Sequence, residues 1–262
     1  MSAKRFEFAS PPYTAAVGDK SRAIAFGASV HVARFGVIML TLAVAPIFGV
    51  SGWYLGITAN VACVIFAAVL VTVRGLWRTS GLFTAWRGPV AVVLLLPLLA
   101  EALAWAIPFG LVETPPGFGL WGVTLLLVGI NEELTSRVVV LERMRASFTP
   151  VVAVSITAAL FGLQHLSAFA TTSRTAEDIL LNVLVSGCTG FALAAFQFRF
   201  RWVWPLILIH AGADFTAILT ARPLSDLVIA GTVVLFLAFG FGILRSMRKT
   251  VVERPAEAAS AH

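Results

Sequence analysis

The chain has 262 residues, of which 59% are hydrophobic and only 12% are charged, and its mean hydropathy is +0.92. Soluble globular domains are about 45–50% apolar and about 25% charged, so this composition excludes an ordinary water-soluble enzyme. It also excludes disorder for the bulk of the chain, because disorder requires low hydrophobicity and high charge. The sequence therefore indicates an integral membrane protein.

Eight apolar segments are long enough to cross a bilayer as helices, for which about 20 residues are needed. They cover residues 35–52, 54–73, 89–111, 118–143, 149–166, 179–198, 202–220 and 226–245. The predicted fold class is all-α: a polytopic transmembrane helix bundle of about eight spans, within residues 35–245. Residues 1–34 are polar and basic and are predicted to form a cytosolic or interfacial arm, and residues 246–262 a disordered cytosolic tail.

The basic residues predict the orientation of this bundle. If the N-terminus is cytoplasmic and the eight segments alternate, every lysine and arginine except Arg174 and Arg222 falls on the cytoplasmic side. This distribution satisfies the positive-inside rule. We therefore expect both termini in the cytoplasm and a multi-pass location in the cell membrane. The net charge of +6 is explained in this way, and we expect no nucleic-acid partner.

A few ionisable side chains lie inside the apolar segments, where each costs from about 2.5 to more than about 10 kcal/mol at the bilayer centre. They are Glu101, Glu132, Glu133, Arg137, His165, His210 and Asp214. Counting the helical rise from the cytoplasmic edge places four of them, on different segments, at depths of about 12–22 Å. The sequence predicts one polar cluster at mid-membrane, and we expect it to open towards the cytoplasm.

Helical spacing groups these residues further. Glu133 and Arg137 are four residues apart with the acid first, which favours a same-face ion pair and leaves Glu132 to face elsewhere. His210 and Asp214 share a face for the same reason. Each residue alone has an ordinary structural explanation, but together the acids and histidines of three segments favour a chemical site.

Three short motifs carry a resemblance to a known family. They are E-E-x-x-x-R at residues 132–137, F-x-x-x-H at residues 161–165 and H-x-x-x-D at residues 210–214. In this order, each in its own segment, they resemble the motifs of the CAAX protease and bacteriocin-processing family, also called CPBP or Abi. That family includes the type II CAAX prenyl endopeptidases. The resemblance covers about residues 89–220, the protease-like core of the bundle.

The resemblance implies an intramembrane endopeptidase of the glutamate type that needs no cofactor. Glu132 would be the general base that activates water, assisted by His165, while His210 and Asp214 would line the oxyanion hole. The expected partners are membrane lipid and a membrane-associated or lipidated peptide or protein substrate, whose identity the sequence leaves open.

Three further residues are expected to support this site. Glu133 and Arg137 would fix the helix and tune the site through their ion pair. Phe161 lies one turn before His165 and is expected to pack against the imidazole ring.

The chain departs from the prenyl endopeptidases at one position, where Asp214 replaces an asparagine. An ionised aspartate cannot donate a hydrogen bond to an oxyanion. We expect Asp214 instead to accept a hydrogen bond from His210 and to orient its ring.

Two alternatives remain open from the residues. Glu132, His165, His210 and Asp214 could be zinc ligands of a metalloprotease, although the chain lacks the H-E-x-x-H signature. The same cluster could also serve binding in a non-catalytic bacteriocin-immunity or membrane scaffold protein.

Overall fold

The structure is a computed structural model that describes the backbone of residues 17–252 and the side chains of residues 19–247. Its α-helices are α1 (Val17–Val44), α2 (Trp53–Val73), α3 (Trp77–Ser80), α4 (Pro89–Ala104), α5 (Phe118–Glu133), α6 (Leu141–Ser147), α7 (Pro150–Gln164), α8 (Ala168–Thr171), α9 (Ala176–Phe200), α10 (Val203–Leu219) and α11 (Asp226–Val252). Short segments of other geometry extend or join them. A 3₁₀ turn, Ala45–Phe48, follows α1, and another, His165–Ser167, joins α7 to α8.

The all-α fold class is confirmed, and the chain is a multi-pass helical membrane protein. Within the described residues, five helical segments are long and apolar enough to cross a membrane: Asp19–Phe48, Trp53–Val73, Pro150–Thr171, Ala176–Phe200 and Asp226–Met247. Helices α4 and α10 are apolar but shorter. Across residues 17–252 the structure contains no strand, only an isolated bridge between Leu111 and Thr220.

The two ends of the chain differ from the prediction. Residues 17–34, expected in a polar arm, form the first part of α1, and Ala23, Val30 and Arg34 on this part are buried. Small and apolar residues recur at helical spacing here, so this stretch packs against α6 and α7. At the other end α11 continues to Val252, beyond the predicted start of the tail. Residues 1–16 and 253–262 lie outside the described part.

Successive long helices run antiparallel, so their connections gather at two ends of the bundle. One end contains the start of α1, the loops at 74–88, 148–149 and 201–202, and the end of α11. There Arg143 contacts Asp19 at 2.6 Å, and Arg201 contacts Glu142 at 2.9 Å. We call it the basic end. The opposite end contains the loops at 49–52, 105–117, 172–175 and 220–225, and the Val112 amide donates there to the Leu219 carbonyl at 2.8 Å.

The helices pack in two groups. In the first, α2 packs against α1 and α5, and α10 packs against α4 and α5. In the second, α9 packs between α7 and α11. The rod formed by α5, a π-helix and α6 connects them, because its second half reaches α7. This arrangement leaves room between α10 and the pair α9 and α11.

The contact between α7 and α9 depends on glycine. A Cβ atom on Gly162 would lie 2.6 Å from the Val183 carbonyl oxygen and 3.1 Å from the Gly187 Cα atom. Both neighbours are backbone atoms of α9, so neither can move away without moving the helix. The small residues around Gly187 therefore serve packing within the bundle.

We predict that Gly162→Ala forces α7 and α9 apart and lowers the free energy of unfolding by about 1–3 kcal/mol, the usual cost of overpacking. The measurement is thermal unfolding of the detergent-purified protein. Gly56→Ala in α2 is the matched control, because its Cβ would meet nothing within 4 Å. Equal melting temperatures for the two variants would contradict this account of the contact.

Candidate active site

The motif residues lie on three separate elements that meet near the middle of the bundle. Glu132 and Glu133 are the last residues of α5, His165 follows α7 directly, and His210 lies within α10. Directly after Glu133 the helix widens into a π-helix, Leu134–Val140, whose residues are all buried. Such π segments are rare and frequently mark functional sites.

The two carboxylate oxygens of Glu132 have different surroundings. Oε1 accepts a hydrogen bond from Arg34 Nη2 at 2.9 Å, across 98 positions of the sequence. Oε2 accepts no hydrogen bond from any group that the structure describes, and it lies 3.8 Å from His210 Nε2. One oxygen is therefore fixed, while the other is available to a small molecule.

Arg34 is itself held in place by a polar chain. Its Nε donates to Asn131 Oδ1 at 2.8 Å, so its guanidinium bridges two successive residues of α5. The Asn131 amide in turn donates to Asn60 Oδ1 at 3.1 Å. Helices α1, α2 and α5 thus position Glu132 together.

His210 is oriented by Glu133. Its Nδ1 lies 2.8 Å from Glu133 Oε1, and the same carboxylate pairs with Arg137 Nη1 at 3.2 Å, with both side chains fully buried. A carboxylate held against an arginine is an acceptor, so Nδ1 of His210 donates the hydrogen. The Glu133–Arg137 pair that the spacing predicts is therefore present.

Asp214 lies beside His210, but it does not make the hydrogen bond that would orient the ring. Its Oδ2 lies 3.5 Å from His210 Nε2, on the side of the ring that faces Glu132. The structure assigns the orienting hydrogen bond at Nδ1 to Glu133, a residue of another helix. Asp214 instead contributes negative charge beside Nε2, and its side chain is 36% exposed.

His165 is oriented by its own helix. Its Nδ1 donates to the Phe161 carbonyl oxygen at 3.0 Å, because a carbonyl can only accept. In the neutral ring Nε2 is then the acceptor nitrogen. The expected ring contact with Phe161 is present, with centroids 5.3 Å apart and edge-to-face geometry.

Phe161 also lies between the two histidines, because its ring contacts both His165 and His210. Its ring lies 5.9 Å from that of His210, and the Arg137 guanidinium lies over its face at 3.8 Å. A Cβ on Gly190 would lie 2.7 Å from Phe161 Cδ1, so this glycine makes room for the ring.

A cavity of about 860 Å³ joins the motif residues. Glu132, Phe161, His165, His210 and Asp214 all line it, and so does Glu101, which accepts a hydrogen bond from Trp105 at 2.9 Å. The cavity reaches the exposed residues Thr172 and Arg174, at the end opposite to the basic end. The cavity therefore extends towards the end opposite the basic end, and not towards the basic end that the sequence predicts to be cytoplasmic.

Sequence reasoning missed the contributions of α1. Arg34 and His31 appeared to belong to a polar arm, yet both are buried, and His31 Nδ1 lies 2.9 Å from Gln164 Oε1. The available signal was helical spacing. Ala23, Gly27, Val30 and Arg34 follow one another at three- and four-residue steps, which continue the first apolar segment towards the N-terminus.

The residues do not form a recognisable metal site. Within residues 17–252, no three His, Cys, Asp or Glu side chains are grouped so that they could hold a metal ion. The four residues considered as zinc ligands are engaged instead with one another and with Arg34, Glu133 and the Phe161 carbonyl.

A comparison with protein families identifies this region. A family model described as type II CAAX prenyl endopeptidase Rce1-like matches residues 114–216. Residues 114–216 are thus similar to that family. The resemblance to the CAAX protease and bacteriocin-processing family is thereby confirmed, and all three motifs lie within the match. Comparisons with curated proteins and with solved structures gave no match.

We predict strong coupling between Arg34 and Glu132. Arg34→Met leaves a buried carboxylate without its partner, which lowers the free energy of unfolding by about 3–5 kcal/mol. Adding Glu132→Gln removes the second charge and restores most of this loss, so the double-mutant cycle gives a coupling energy of at least about 2 kcal/mol. Chemical unfolding in detergent measures all four proteins.

The control cycle uses Asp19→Asn and Arg143→Met. This pair is 40% and 27% exposed, and we expect a coupling of no more than about 1 kcal/mol. Additive effects at Arg34 and Glu132 would show that their contact does not position the carboxylate.

Proposed function

We propose that the protein is an intramembrane glutamate-type endopeptidase that hydrolyses a peptide bond of a membrane-associated protein or peptide. The observation that carries this proposal is the asymmetric carboxylate of Glu132. One oxygen is fixed by Arg34 and the other is unbonded, 3.8 Å from an imidazole, inside a cavity within the helix bundle. The family match supports it, because that family consists of CAAX proteases.

In the proposed first step, Glu132 Oε2 and His165 Nε2 accept the two hydrogen bonds of a water molecule. Glu132 removes a proton as the water oxygen attacks the carbonyl carbon of the scissile bond. The C–N bond then breaks, and the leaving nitrogen takes up the proton that the base has held. Oε1 stays paired with Arg34, so the carboxylate keeps its orientation during both transfers.

The negative charge that develops on the carbonyl oxygen is assigned to His210. Because Nδ1 already donates to Glu133, Nε2 can donate only from the charged imidazolium. Glu133 at 2.8 Å and Asp214 at 3.5 Å stabilise that positive charge. A donor fixed before the reaction begins gives the largest stabilisation to the oxyanion.

Glu133, Arg137 and Phe161 act as positioning residues in this proposal. Arg137 neutralises Glu133 and lies on the Phe161 ring, and these two residues contact His210 and fix the plane of its ring. Of the motif residues that line the cavity, all except Phe161 are then the catalytic residues: Glu132, His165, His210 and Asp214. We propose that no cofactor takes part.

We predict that Glu132→Gln and His165→Ala each reduce cleavage of a peptide library by a factor of at least about 10²–10⁴, the range typical of general bases. Gln can still accept from Arg34 through its amide oxygen, so the fold is retained. The measurement is turnover by detergent-purified protein, assayed below the melting temperature of each variant. Glu142→Gln, at the basic end, is the matched control and should retain activity.

Full activity in both site variants would refute the assigned roles. A non-catalytic immunity or scaffold protein would keep its cellular phenotype in the Glu132→Gln variant at equal membrane abundance. A zinc enzyme would contain stoichiometric zinc in elemental analysis of the active protein, and treatment with a chelator would abolish its turnover.

We predict that Asp214→Asn lowers turnover, but less than Glu132→Gln, because Glu133 continues to orient His210. The loss arises from one fewer negative charge beside the imidazolium. Steady-state kinetics should show a lower kcat with little change in KM, since the charge acts on the transition state. A rise in kcat would instead show that the amide donates directly to the oxyanion.

A further inference from the structure

The cavity that contains Glu132 opens towards one end of the bundle. Its lining residues come from the second halves of α4 and α5, the end of α7, the first two thirds of α9, the middle and end of α10, and the first half of α11. The part of the lining furthest from the basic end includes Thr172, Arg174, Asp178 and Ile229, which lie at or next to the loops of the opposite end. With a rise of about 1.5 Å per residue, His165 lies only about 9 Å from the end of α8, and Glu101 about 5 Å from the end of α4.

Packed side chains close the other side of the site. The indole nitrogens of Trp202 and Trp204 both donate to the Thr84 carbonyl at 2.7 Å, which ties the loop before α4 to the start of α10. Gln197 donates to the Ser80 carbonyl at 3.0 Å and accepts from the Trp202 amide. These contacts seal the bundle between His210 and the basic end.

The two ends also differ in charge. The basic end contains Lys20, Arg22, Arg74, Arg78, Arg87, Arg143, Arg145, Arg199, Arg201 and Arg245. Among the described residues, the loops and helix ends on the opposite side contain only Arg174 and Arg222 as basic residues, beside several acids. By the positive-inside rule the basic end is cytoplasmic, so the opposite end faces away from the cytoplasm.

We infer that the substrate reaches Glu132 from the non-cytoplasmic face of the membrane, and that it is a polypeptide segment located at that face. This inference rests on the proposed function only in taking the cavity as the substrate site. A polypeptide that enters from the basic end would have to pass the contacts of Trp202 and Trp204 with Thr84. The position of the cavity, the contacts that close the basic end and the distribution of charge all indicate access from the end opposite the basic end.

Cysteine accessibility tests the orientation without any cleavage assay. The background is the full chain with Cys63→Ala and Cys188→Ala, which removes both buried native thiols. Arg174→Cys and Arg78→Cys are matched variants, since both arginines are exposed and lie at opposite ends. Spheroplasts of a bacterial host that inserts the protein receive a membrane-impermeant maleimide.

We expect labelling of Arg174→Cys in intact spheroplasts and labelling of Arg78→Cys only after permeabilisation. Labelling of Arg78→Cys before permeabilisation overturns the inference, and so does protection of Arg174→Cys. Either result would place the basic end outside.

A second variant tests the path into the cavity. Ser186 lines the cavity on α9 and is partly exposed. A small charged thiosulfonate should modify Ser186→Cys in right-side-out vesicles and leave it unmodified in inside-out vesicles. Modification from the cytoplasmic face alone, or from neither face, overturns the inference.

Failure of this inference is distinct from failure of the proposed function. Loss of cleavage in Glu132→Gln together with reversed labelling would retain the hydrolase and reject the access route. Normal cleavage in Glu132→Gln together with the expected labelling would reject the base and retain the access route.

Discussion

Two adjacent carboxylates buried in an apolar helix bundle each require a cation, and the rest of the site depends on how this requirement is met. Removing a charge from water without a partner costs several kcal/mol, so Glu132 and Glu133 recruit one arginine each. Arg137 comes from the next turn of the same rod, whereas Arg34 comes from α1. The first helix must therefore pack along its whole buried face for the site to exist.

The two partners give two chemically similar residues different roles. Each carboxylate has one oxygen without a hydrogen-bond partner. Glu133, whose other oxygen contacts both Arg137 and His210, is fully buried, whereas Glu132 lines the cavity. Environment thus separates a carboxylate that orients His210 from one that is accessible from the cavity. The wider turn of the π-helix follows directly after this pair.

The family match covers the same part of the chain as the polar cluster. Residues 114–216, which match the type II CAAX prenyl endopeptidase Rce1-like family, span α5 to most of α10 and contain all three motifs. The helices outside this region contribute differently. Helix α1 supplies Arg34, α4 supplies Glu101 to the cavity wall, and α11 closes the far side of the cavity through Ile229 and Phe236. Helices outside the matched residues therefore contribute side chains to the site.

Local patterns in the sequence determined the membrane class, the helical segments and the same-helix contacts, including Glu133 with Arg137 and Phe161 with His165. These features depend on hydropathy and on a period of about 3.6 residues, both of which are readable within a few turns. Only the tertiary structure decided that Arg34 holds Glu132, that Glu133 orients His210, and that the cavity opens away from the basic end. Such contacts join residues 98 and 77 positions apart, and no local pattern specifies which helices meet or at which height.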